Sequence, residues 1–108
     1  MKAKIWNTRG FIDSKLFNDD NSLLKSAFHI ILKASGFNVL NNIDHNFKPF
    51  GYSTVWLLAE SHFAIHTFPE ENKIYYELSS CNEEFYKRFN YNLRTYFKEI
   101  KRKWEKAK

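Results

Sequence analysis

From Glu83 onward, Phe85, Phe89, Leu93, Tyr96, Phe97, Ile100 and Trp104 recur at helical spacing and trace one apolar stripe. A helix of that length with one greasy side has to lie against another layer of structure. The residues before it supply one. Residues 5–13 read as a first strand, with Gly10 as a site for a bulge. Asn18-Asp19-Asp20-Asn21-Ser22 is rich in residues that cap helix N-termini. Leu24, Ala27, Phe28, Ile31 and Ser35 then follow at helical spacing, Leu32 widens the stripe and Gly36 is a natural stop. Residues 37–47 read as a second strand interrupted by Asn41-Asn42, and Lys48-Pro49-Phe50-Gly51 is a turn signal. Residues 54–58 form a short continuous apolar run, as in a buried strand, and residues 62–68 make another, ended by Pro69-Glu70-Glu71-Asn72. Ile74, Tyr76 and Leu78 alternate with Tyr75, Glu77 and Ser79, the pattern of a half-buried strand. This order of elements predicts an α+β fold: a two-layer sandwich with a mainly antiparallel sheet and two helices on one face. With 108 residues, no internal repeat and no boundary signal, the chain reads as one domain over residues 1–108.

Composition narrows the classes. A hydrophobic content of 44% with 19% aromatic residues supports a core, though one small enough to gain from oligomerisation. A single cysteine excludes an intramolecular disulfide framework and fits a reducing compartment. No apolar run reaches membrane-spanning length, and residues 1–7 lack the apolar stretch of a signal peptide, so the expectation is a soluble cytoplasmic protein. The net charge of +5 invites a nucleic-acid reading, but residues 98–108 carry six basic and two acidic side chains and so hold +4 of it. A basic helix end whose lysines complement the helix dipole is the simpler reading, and nucleic acid is not expected as a partner.

The segment Glu60-Ser61-His62-Phe63-Ala64-Ile65-His66-Thr67-Phe68-Pro69-Glu70 carries the chemistry, with the only cysteine, Cys81, twenty residues after Ser61. Taken alone, Ser61 reads as a strand-edge serine and Cys81 as an ordinary buried thiol. His62 and His66 would share a face of a helix as zinc ligands. In a strand, however, positions i and i+4 lie roughly 13 Å apart, so no metal is expected. A serine-hydrolase reading lacks Gly-x-Ser-x-Gly. Alternation puts His62, Ala64, His66 and Phe68 on one face, and Tyr75, Glu77, Ser79 and Cys81 on one face. It would place Ser61 opposite His66, which predicts that Ser61 lies at a break or turn before the strand.

Glu60-Ser61-His62 followed by Ile65-His66-Thr67-Phe68-Pro69-Glu70 resembles the self-cleavage segment of the bacterial and archaeal S-adenosylmethionine decarboxylases. Upstream, Phe47, Pro49 and Gly51 match that family's Phe-x-Pro-x-Gly turn, and Ser53 its serine eight residues before the cleaved one. Downstream, Glu77 and Cys81 match an acidic residue four positions before the family's cysteine. The resemblance implies self-cleavage between Glu60 and Ser61, and a pyruvoyl group made from Ser61 that forms a Schiff base with the substrate, with no external cofactor. It implies that His66 and Ser53 serve processing and that Cys81 is a proton donor. Glu60, Glu70, Glu77 and Phe68 are then substrate-binding candidates, with Tyr52, Phe68 or Tyr75 available to stack on an adenine. The implied activity is decarboxylation of S-adenosylmethionine to give the aminopropyl donor for spermidine, in a homodimer with active sites near the interface. The alternatives are the same pyruvoyl chemistry on another amino acid, such as arginine or ornithine, and a non-cleaving homologue with a binding or regulatory role. These are motivated by departures from the family pattern: Phe68 where a tryptophan is usual, Asn82 where a glycine usually follows the cysteine, no histidine before the first strand's apolar run, and no strand after the last helix.

Overall fold

A computed structural model of the chain describes residues 3–106; Met1, Lys2, Ala107 and Lys108, the last lysine of the basic run among them, lie outside the described residues. Five strands, β1 (Trp6–Asp13), β2 (Val39–Asn46), β3 (Tyr52–Leu58), β4 (Ser61–Phe68) and β5 (Lys73–Ser80), make one sheet in the order β1-β5-β4-β3-β2. Every neighbouring pair is antiparallel. Two helices, α1 (Asn21–Ala34) and α2 (Glu83–Lys106), pack on one face. The expected α+β two-layer sandwich is the fold observed.

Both helices begin where short polar side chains satisfy their first free N–H groups. Asp20 accepts from the backbone N–H of Ser22 at 2.9 Å and of Leu23 at 3.1 Å, and Asn82 accepts from that of Phe85 at 2.9 Å. The predicted stop of α1 holds: Ser35 is its C-cap, and Gly36 follows with φ +106°, which glycine adopts without steric cost. A Cβ on Gly36 would also stand 2.6 Å from the Phe85 ring, so this glycine lets α1 and α2 come together.

The inner face of the sheet alternates as the period of two requires. Tyr52, Thr54, Trp56 and Leu58 of β3 and Phe63 and Ile65 of β4 are buried beneath the helices. Phe28 of α1 stacks on Phe63 at 5.1 Å between centroids, and Phe89 of α2 lies 5.3 Å from the same ring. Burying each such ring contributes roughly 1.5–3 kcal/mol, so this aromatic centre is what clamps the two layers.

Gly10 is not a bulge. β1 pairs with β5 without a register shift, and Gly10 instead makes room for Tyr76, whose hydroxyl would lie 2.9 Å from a Cβ there. The interruption expected at Asn41-Asn42 falls one residue earlier, as a register shift between Val39 and Asn41. Ser61 does not precede its strand. It is the first residue of β4 and is paired with Leu58 on one side and Ser80 on the other. The turn is Ala59-Glu60, a two-residue hairpin in which Glu60 takes φ +61°.

Candidate active site

The hairpin between β3 and β4 sets the position of Ser61. A glutamate at φ +61° occupies the left-handed region that side chains with a Cβ rarely adopt, so the bond after Glu60 is held in a strained turn. Ser61 then enters the ladder facing the helices, in phase with buried Phe63 and Ile65, and is itself buried. Its hydroxyl donates to Ser80 Oγ at 3.1 Å. Ser80, the last residue of β5, is 1% exposed; its Oγ donates to the Asn82 carbonyl at 3.1 Å and accepts from the Asn82 N–H at 3.0 Å.

Ser53 and His66 lie on the opposite, uncovered face. They are cross-strand partners on β3 and β4, with Ser53 Oγ 2.6 Å from His66 Nδ1. The next partner in the same row is Tyr75, whose ring stacks on His66 with 6.2 Å between centroids. The Tyr75 hydroxyl donates to Glu77 Oε2 at 2.8 Å; that bond, reinforced by burial, holds the Tyr75 phenol above its usual pKa. His66, Ser53, Phe68, Glu70, Phe47 and Phe50 line one groove. Glu77 lines a second with His62, Arg9 and Ser79.

The candidate residues therefore fall into two groups. Ser61, with Glu60 before it, marks one end of the sheet, where Cys81 emerges from β5. Ser53, His66, Phe68 and Glu70 gather toward the other end. Ser61 and His66 are five residues apart on one strand, which is roughly 17 Å, and they point to opposite faces. Cys81 is exposed, in the bend after β5, rather than the buried thiol its residue type suggests. Tyr52 is 5% exposed beneath the helices, so of the three aromatic candidates only Phe68 and Tyr75 face the open side. Ser80 was not singled out from the sequence. Alternation puts residue 80 on the face opposite Glu77, and the register of β4 with β5 then pairs it with Ser61.

An antiparallel sheet backed by two helices, with a serine at the end of a strained hairpin and a serine–histidine pair on the free face, defines a small α+β two-layer protein. A family model described as S-adenosylmethionine decarboxylase matches residues 10–108, and the chain belongs to that family. The S-adenosylmethionine decarboxylase proenzyme of Prochlorococcus marinus (strain MIT 9211) is 35% identical over 66 residues, covering 61% of this chain and 54% of that protein. The S-adenosylmethionine decarboxylase proenzyme 2 of Bacillus cereus is 36% identical over 72 residues, covering 65% of this chain and 56% of that protein. The chain thus spans about half the length of the curated relatives it matches. The crystal structure of the adenosylmethionine decarboxylase from Aquifex aeolicus VF5 superposes with a TM-score of 0.59 at 21% identity, over 83% of this chain and 74% of that one, a likeness of fold.

Proposed function

We propose that this chain is a self-processing decarboxylase that cuts its own backbone between Glu60 and Ser61, acts on S-adenosylmethionine, and supplies an aminopropyl donor for spermidine synthesis. The observation that carries this reading is the placement of Ser61 directly after a left-handed Glu60 in a two-residue hairpin, within the region that matches the family. Attack by Ser61 Oγ on the Glu60 carbonyl converts the peptide bond to an ester and frees the Ser61 amine; loss of the Ser61 α-proton expels Glu60 as a carboxylate, and hydrolysis of the resulting dehydroalanine releases ammonia and leaves a pyruvoyl group at residue 61. The residues present fit that group: the precursor hydroxyl is in place and the bond to be cut sits in a strained turn. Once formed, the pyruvoyl carbonyl supplies the electron sink for loss of carbon dioxide, so no external cofactor is required.

The chain's own residues supply the rest. Ser53 engages His66 Nδ1 and leaves Nε2 as the ring atom we assign to proton transfer in processing. Cys81 is exposed at the Ser61 end and is our choice for the proton donor. Phe68 and Glu70, in the groove with His66, suit an adenine ring and a sulfonium or ammonium charge. Glu60 and Glu77 add carboxylates near the Ser61 end of the sheet. We assign the protein to the cytoplasm on its single, exposed cysteine.

The open face of the sheet supports a homodimer. Phe11, Ile43, Val55, Leu57 and Phe68 are large, apolar and exposed on the uncovered face of the sheet. A second copy packed there would cover the apolar open faces of both sheets.

Intact mass of the purified protein under denaturing, reducing conditions tests the proposal, with Ser61→Ala alongside. The expected result is two pieces, residues 1–60 and a pyruvoyl-headed 61–108, both absent from Ser61→Ala. An uncut chain after prolonged incubation would overturn self-processing. Processed protein that releases carbon dioxide from arginine or ornithine, and not from S-adenosylmethionine, would overturn the substrate.

A further inference from the structure

We infer that Ser80 is the positioning residue for the Ser61 hydroxyl, and that it ties the self-cleavage step to the bend carrying Cys81. The inference rests on the self-processing reading above. Ser80 Oγ uses its full hydrogen-bonding capacity: it accepts from Ser61 Oγ at 3.1 Å and from the Asn82 N–H at 3.0 Å, and it donates to the Asn82 carbonyl at 3.1 Å. Its own proton is thereby committed to Asn82, so it meets Ser61 only as an acceptor.

That arrangement fixes the Ser61 side chain. With its proton directed at Ser80, Ser61 Oγ is held in one rotamer at the strained turn, with its lone pairs unclaimed by any hydrogen bond among the described residues. The chain of hydroxyls ends on a backbone carbonyl, which is no base. Ser80 therefore aims the nucleophile and does not deprotonate it. Both Ser61 and Ser80 are nine-tenths buried, so water does not stand in easily for a deleted hydroxyl.

The same residue grips the far side of Cys81. Ser80 and Asn82, the residues on either side of the cysteine, are bonded to each other twice, and Asn82 also caps α2 through its bond from the Phe85 N–H. Ser61, the Cys81 bend and the start of α2 are thus fastened through one oxygen atom.

Cleavage time courses by intact mass test this in the wild type, Ser80→Ala, Ser80→Thr and Ser61→Ala, with thermal melts to verify folding. Ser80→Ala is expected to slow cleavage by at least about tenfold, since a misaimed nucleophile loses that much or more. Ser80→Thr, which keeps the hydroxyl, is expected to retain most of the wild-type rate. A Ser80→Ala chain that cleaves at the wild-type rate overturns the inference and leaves self-processing standing. Equal slowing in folded Ser80→Ala and Ser80→Thr also overturns it, because volume and not the hydroxyl would then matter. An uncut wild type removes self-processing and this inference together.

Discussion

Ser53 Oγ and His66 Nδ1 meet at 2.6 Å across β3 and β4, on the face of the sheet opposite to the one Ser61 points into. A pair so placed makes no hydrogen bond to the serine of its own chain among the described residues. If a second copy supplies it, the two halves of the site can be mutated in different chains. His66→Ala alone should cleave slowly, and Ser61→Ala not at all. Mixed oligomers of the two should cleave the His66→Ala chain about a hundredfold or more faster than it cleaves alone, the usual scale for a restored acid–base group. Mass spectrometry of co-refolded, isotopically distinguished chains checks this. A mixture no faster than His66→Ala alone would place the working pair within one chain.

The left-handed turn at Glu60 predicts a trade of stability against processing. Glu60→Gly or Glu60→Asn relieves a φ of +61° that costs a residue with a long side chain on the order of 1 kcal/mol. The melting temperature of the Ser61→Ala background should rise by a few degrees, roughly 4–8 °C per kcal/mol for a domain of this size. With Ser61 intact, the same substitutions should slow cleavage, because the strain no longer favours opening the peptide bond. Melts and mass time courses read the two effects separately.

How far the sequence foretells this arrangement depends on which force sets each residue. The stripes of α1 and α2 were legible because 3.6-residue periodicity, caps and Gly36 all agree, and the fold class followed from the order of elements. The motif from Glu60 to Glu70 was legible as a pattern. The phase of Ser61 was harder to place: a two-residue turn closed by a non-glycine residue at positive φ puts the serine inside the ladder, and no propensity announces that. Tyr52 looked as available as Phe68 until its phase with Trp56 buried it. Gly10 reads as a defect in a strand until the neighbouring Tyr76 is seen to need the space.

Lys25 and Asp44 join α1 to the edge strand β2, 2.7 Å apart, and the Thr54 hydroxyl donates to the same carboxylate at 2.7 Å. Burial by itself would raise the Asp44 carboxyl, but the hydrogen bonds from Lys25 and Thr54 outweigh it and hold the group below its usual value. A depressed carboxyl contributes stability that is present above the unfolded pKa of about 3.9 and is lost as pH falls through the folded value. Asp44→Asn should therefore melt below the wild type at pH 7, and the gap should close in strong acid. Both side chains are about a third exposed, so the effect is a small one. A gap that stays constant from neutral to acid pH would assign it to packing instead.

Gly36→Ala should be among the costlier surface-proximal changes. It forces a Cβ to φ +106° and to within 2.6 Å of the Phe85 ring, for a loss of about 1–3 kcal/mol. Denaturant titration measures it. Pairing it with Phe85→Leu should recover part of the steric component and none of the backbone component, so the double variant should lie below wild type yet above the sum of the singles.

The strands that follow Ser61 are flanked on both sides by strands that precede it. β4 and β5 lie between β3 and β1, with eight residue pairs tying β5 to β1 and six tying β4 to β3. A chain opened at Glu60–Ser61 would be two polypeptides laced into one sheet, with the Phe28–Phe63 stack pinning helix to strand across the divide. Neither piece can slide out, because leaving means unzipping both seams at once. Severing the hairpin frees a new chain end for chemistry while the body that presents it stays closed, and the pieces would part only under conditions that melt the whole.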